Sequence, residues 1–117
     1  MKYERKALQL LRRLGVNSSY LGFRYTACAV ALNIQNPDLI IYISKGLYVE
    51  VAARYNTSIS CVERDIRTIV EAIWARGNRR LLIQILGTEQ DKKPRNASFI
   101  DAISQYLIEH PAWKPHL

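Results

Sequence analysis

Residues 51–77, VAARYNTSISCVERDIRTIVEAIWARG, restrict the fold of this chain more than any other stretch. Val51, Ala52 and Tyr55 form an apolar stripe at helical spacing. Tyr55-Asn56-Thr57-Ser58 then interrupts it with residues that favour turns and helix N-caps. Asn56 is the expected turning residue, because asparagine enters the left-handed backbone region at low cost. Beyond it Val62, Ile66, Ile69, Val70 and Ile73 recur on one face of a second helix. The opposite face carries Ser60, Arg64, Arg67, Thr68 and Glu71, side chains suited to a polar partner. Ala52 is small where the two helices must cross, and Val62 is the apolar anchor of the second. The pattern predicts a helix-turn-helix, with an ordinary helical hairpin as the alternative.

The rest of the chain is sized to support that unit. At 117 residues it is one domain's worth. Lysine and arginine outnumber aspartate and glutamate by 17 to 10, giving a net charge of +7 and a pI near 9.7. That balance favours a polyanionic partner, nucleic acid or an acidic membrane surface, without choosing between them. No apolar run approaches the roughly eighteen residues of a membrane span, and the N-terminus lacks an export signal, so a cytoplasmic, nucleoid-associated protein that does not engage a membrane is expected. Cys28 and Cys61 stand far apart with no CxxC or Cys/His cluster, which suggests neither a disulfide framework nor a zinc site. Both histidines, His110 and His116, lie near the C-terminus. With no metal-ligand cluster, phosphate loop or activated nucleophile in the pattern, no enzyme, cofactor or metal is expected.

Along the chain, Tyr3, Ala7, Leu10, Leu11 and Leu14 predict a first helix over 2–14, stopped by Gly15. Its Lys2, Arg5, Lys6, Arg12 and Arg13 read as a solvated basic face. A second helix is expected from about Ser19 to Gln35, with Ala27-Cys28-Ala29-Val30-Ala31 as the small-residue centre of the core. Asn36-Pro37-Asp38 breaks it. The apolar run Leu39–Ile43 is read as buried helical or irregular chain leading into the helix that ends at Tyr55, with a kink at Gly46. The helix after the turn should run over about 59–76 with Ser58 as its N-cap, Gly77 should end it, and Asn78 should cap a short helix from Arg79 to Leu86 stopped by Gly87. The polar loop Thr88–Arg95 precedes a last helix beginning at Asn96 or Ser98 and ended by Pro111. The expectation is therefore an all-α, single compact domain of about six helices over 1–110, with 111–117 as a loose tail.

Several of these residues also carry a resemblance. Ile43-x-Lys45-x-Leu47-Tyr48, Ala52, Tyr55-Asn56-Thr57, Ser60-x-Val62-Glu63-Arg64-x-Ile66-Arg67 and Trp74-x-Arg76-Gly77-Asn78, followed by Gly87, Lys93-Pro94, Asn96 and Phe99-Ile100, with Gly22 and Tyr25 nearer the start, resemble the C-terminal effector domain of the stage zero A sporulation response regulators. The resemblance covers Gly15 to about His110. It implies a helical transcription regulator whose second helix-turn-helix helix enters the major groove of a short box containing GTCGA. Two departures follow. The family's base-contacting arginine is replaced here by Cys61, which cannot make the bidentate bond to guanine worth about 1–3 kcal/mol of discrimination, and Thr68 replaces a longer polar side chain. The family also carries a receiver domain ahead of this one, for which these residues leave no room, so a stand-alone regulator is expected.

On this reading Ser60, Cys61, Glu63, Arg64, Arg67 and Thr68 are the candidates for base contact in double-stranded DNA. Glu63 either accepts from a cytosine amino group or holds Arg67, four residues on. Lys45, Arg54, Thr57, Ser58, Asn78, Lys92, Lys93 and Arg95 are candidates for phosphate contact, the helix start at Thr57-Ser58 being a natural anion site. A homodimer on DNA and RNA polymerase are the further partners such a module admits. The alternative from a different class is a helix-turn-helix that binds protein, RNA polymerase or another regulator, with weak or no specific DNA binding; the loss of arginine at Cys61 favours it.

Overall fold

The computed structural model describes residues 2–115, so the expectations for His116 and Leu117 lie outside the described residues. Six α-helices follow one another: α1 Lys2–Leu14, α2 Gly22–Gln35, α3 Leu47–Arg54, α4 Ile59–Arg76, α5 Arg79–Leu86 and α6 Asn96–Glu109. A 3-10 turn, Pro37–Ile40, links α2 to the approach to α3, and the described residues contain no strand. The all-α, single-domain expectation holds.

The helix α2 is the hub. Its Phe23, Ala27, Cys28, Ala29, Val30 and Ala31 are buried, and α1, α4 and α6 all pack around it. Small side chains make that possible, because helix axes approach closely only where little projects between them. Burial pushes the Cys28 thiol up to about 11, as expected of an inert packing residue. The closest approach is at Gly22, where a Cβ would lie 2.0 Å from the Asp65 carbonyl oxygen of α4 and 3.0 Å from Ile69 Cγ1. This also explains why α2 begins at Gly22 and not near Ser19. Asn17 Oδ1 accepts from Ser19 N at 2.9 Å, which holds residues 17–21 in a turn until the glycine slides past α4.

The run Leu39–Ile43 departs from the sequence reading. Leu39, Ile40 and Ile43 are partly buried against the core, but Ile41 is 66% and Tyr42 74% exposed. The 3-10 turn and the turns after it spread consecutive side chains around the chain, so a continuous apolar stretch cannot all face inward. Gly46 sits at the N-cap of α3 with the Leu39 carbonyl 2.6 Å from where its Cβ would be.

The ends of α1 and α4 are tied together. Gly15 (φ +115) turns the chain after α1, and Asn78 N donates to the Leu14 carbonyl at 2.9 Å. The stretch expected as a loose tail folds back as far as Pro115. Trp113 N donates to the His110 carbonyl, Lys6 Nζ donates to the Pro111 carbonyl, and the Trp113 ring is partly buried against the core.

Candidate nucleic-acid interface

The two helices of the motif are α3 and α4. Between them Asn56 takes φ +50, the single positive φ among described non-glycine residues, and Thr57 N donates to the Ala52 carbonyl at 3.0 Å. Ser58 then caps α4: its backbone is extended and its Oγ accepts from Cys61 N at 3.1 Å. A cap of this kind stabilises a helix by about 1 kcal/mol and fixes its first residue. The 18 residues of α4 make a rod of about 27 Å. Val62, Ile66, Ile69, Val70 and Ile73 are buried beneath it, leaving the opposite face to solvent.

On that face Arg64 and Arg67 project outward, their side chains 58% and 47% exposed. Neither is free in the unbound protein. Arg67 Nη1 meets Glu63 Oε1 at 2.5 Å, one helical turn back, and Arg64 Nε meets Asp65 Oδ1 at 3.2 Å. The Arg67–Glu63 pair, exposed on both sides, is worth only about 0–1 kcal/mol, whereas Arg64 pairs with a carboxylate that is only 13% exposed. Glu63 thus takes the holding role. Asp65 went unread in the sequence because adjacent helix positions seldom face each other.

Ser60 is exposed at the start of the same helix, and Cys61 beside it is half-buried. The Ser58 hydroxyl, and after it that of Thr57, hold the Cys61 thiol below its ordinary range, with Arg64 adding to the effect. Thr68 is exposed, but its hydroxyl donates to the Arg64 carbonyl at 3.1 Å and so is partly engaged by the helix itself.

The phosphate candidates divide. Lys93 Nζ lies 3.3 Å from Glu71 Oε2 on α4, and Lys93, Arg95 and Arg67 rim a cleft of about 470 Å³ with Ser44, Tyr48 and Asn96. Lys45 is exposed one residue beyond Ser44, Arg54 is exposed in the last turn of α3, and Thr57 and Ser58 stand at the head of α4. Lys92 is exposed in the loop beside Lys93. Asn78 stands apart: it follows the C-terminus of α4, the length of the helix away from Ser58, and its Oδ1 accepts from Leu81 N to cap α5.

Asn96 has a role the sequence did not disclose. Its amide nitrogen donates to Tyr48 Oη at 3.1 Å and to the Glu63 carbonyl at 3.0 Å, so the first residue of α6 bridges both helices of the motif. Burial pushes the Tyr48 phenol above its usual range, and the bond from Asn96 offsets this in part. Only the spacing of the fold brings these three residues together, and no local pattern signals it.

A left-handed asparagine turn, a capped and outward-facing second helix and a pair of exposed arginines define a helix-turn-helix domain of the DNA-binding regulatory class. The chain belongs to the family described as sporulation initiation factor Spo0A, C-terminal, whose family model matches residues 7–107 of the 117. This is a family of DNA-binding regulatory domains and not of enzymes, and it places the chain in transcription regulation and sporulation. No helix of the described residues is long and apolar enough to cross a membrane.

Proposed function

We propose that this domain reads a specific duplex sequence by laying α4 in the major groove, with Arg64 and Arg67 as the principal base-reading side chains. The observation that carries the reading is the joint outward exposure of these two arginines on a helix whose buried face and start are both fixed. Arg67 leaves Glu63 and Arg64 leaves Asp65 on binding, and the freed carboxylates repel phosphates that approach in the wrong register. Ser60 and Thr68 contribute shorter polar contacts, and Cys61 offers shape and a weak donor. The head of α4 at Thr57-Ser58 takes one phosphate, while Lys45, Lys93 and Arg95 follow the backbone along one flank. Lys92 and Arg54 extend that cationic border.

A selection from random duplex DNA tests this. A recovered motif, together with a log-log salt slope of about −0.9 per phosphate contacted, is expected. Enrichment of no motif, or an affinity indifferent to salt, refutes the reading and favours a protein-binding role for the same helix.

A further inference from the structure

A second cationic surface is built from α1, the start of α5 and the C-terminal segment. Two clefts, of about 750 and 720 Å³, share Trp113, Lys114 and Pro115 as lining where the C-terminal segment meets α1. Lys2, Arg5, Lys6, Arg13, Arg80 and Lys114 line them, and among the described residues no aspartate or glutamate does. None of the six takes part in an ion pair among the described residues, whereas the described pairs all lie on or beside α4. Among the described residues the charge here is therefore uncompensated, and concave walls concentrate its field. Between the cations the walls mix apolar Leu81, Ala112, Trp113 and Pro115 with the uncharged polar side chains of Gln9, Asn78, Gln84 and Tyr106. Lys2, Arg5, Lys6, Trp113 and Lys114 fall outside the residues the family model matches, whereas Arg13 and Arg80 fall inside them.

The chemistry of the clefts points to the partner: six cations that pair with no aspartate or glutamate among the described residues call for a polyanion, and Trp113, shared by both clefts, adds an aromatic contact. The walls also suit a side chain better than a sugar-phosphate edge, since an indole flanked by arginines and apolar residues has the composition of a protein-binding hot spot.

We propose that the Trp113 surface docks an acidic segment of another protein, whose carboxylates meet the lysines and arginines and whose apolar or aromatic side chain packs against Trp113. The domain then holds DNA through α4 and a protein through the Trp113 surface.

The test is selection from a random library of peptides about twelve residues long against the full chain, followed by titration of a selected peptide. Peptides rich in aspartate or glutamate with interspersed aromatic or aliphatic residues are expected. Their binding quenches tryptophan fluorescence in the wild type, and Trp113→Phe abolishes the quench. In the double variant Arg5→Glu, Arg13→Glu the peptide affinity falls by about tenfold or more, while duplex DNA binding stays within about twofold, which also reports an intact fold. Selection of neutral or basic peptides, or of none, overturns the proposal. So does an equal loss of duplex affinity in the double variant, which marks the surface as a nucleic-acid contact.

Discussion

Gly22→Ala is the sharpest probe of how α4 is held. The added methyl would stand 2.0 Å from the Asp65 carbonyl oxygen and 2.5 Å from its carbon, both backbone atoms. An ordinary C···O contact is about 3.3 Å, so the α2/α4 crossing must open by about 1.3 Å. Overpacking of a core typically costs about 1–3 kcal/mol, and a backbone collision belongs at the upper end. Alanine returns up to about 1 kcal/mol through its helix propensity. The net expectation is a loss of about 2 kcal/mol. With an unfolding entropy of about 2.1 cal/mol/K per residue, or roughly 0.25 kcal/mol/K for this chain, the melting temperature drops by about 8 °C. Thermal and urea unfolding followed by circular dichroism measure this directly. The displaced segment contains Asp65, the partner of Arg64, and an opening of this size exceeds the roughly 0.5 Å tolerance of a binding constellation. Below the transition, specific duplex binding should therefore weaken more than binding to scrambled DNA. A Gly22→Ala protein melting within about 2 °C of wild type would show that the crossing opens freely, and the reasoning would fail.

Arg64→Ala is expected to weaken binding to the selected duplex more than to scrambled duplex, whereas Lys93→Ala, which also strands Glu71, weakens both alike; equal losses for Arg64→Ala would remove its base-reading role. Cys61→Arg should shift the selected sequence toward the family's GTCGA box, and an unchanged motif would show that position 61 does not face a base. A thiol reagent should modify Cys61 quickly and Cys28 only on unfolding, so equal rates in the native protein would contradict the placement of Cys28 in the core. Because folding raises the Cys28 pKa from 9.0 to about 11, its contribution is complete below pH 9 and is lost as pH rises toward 11, by something on the order of 2 kcal/mol. Urea unfolding of wild type and Cys28→Ala at pH 8 and pH 10.5 measures it: the pH-dependent loss should be smaller in the variant.

What the sequence made legible was whatever local chemistry decides. The Ser58 cap, the Asn56 turn and the Asn78 and Gly87 boundaries of α5 all fall where turn and capping residues place them, because each cap or turn is made with neighbours within four positions. The exposed Arg64 and Arg67 follow from helical periodicity in the same way. The start of α2, expected near Ser19, did not, because residues 17–21 form a turn and the close approach to α4 comes at Gly22. Ile41 and Tyr42 misled for a related reason: hydrophobicity shows what a side chain prefers, but a turn dictates which way it points. Asn96 looked like an ordinary helix start, and its bonds to α3 and α4 depend on residues 48 and 33 positions away. Asn78 was grouped with the phosphate contacts by its motif, although the length of α4 separates it from the rest.

The amide of Asn96 has a consequence for how the domain meets its target. A rivet through Tyr48 and the Glu63 backbone sets the angle between the motif's two rods before any ligand arrives. Under the proposed major-groove reading, recognition calls for no reshaping of the scaffold, only the release of two side chains from their neighbours, so duplexes of different sequence would be compared against one rigid template through the arginine tips.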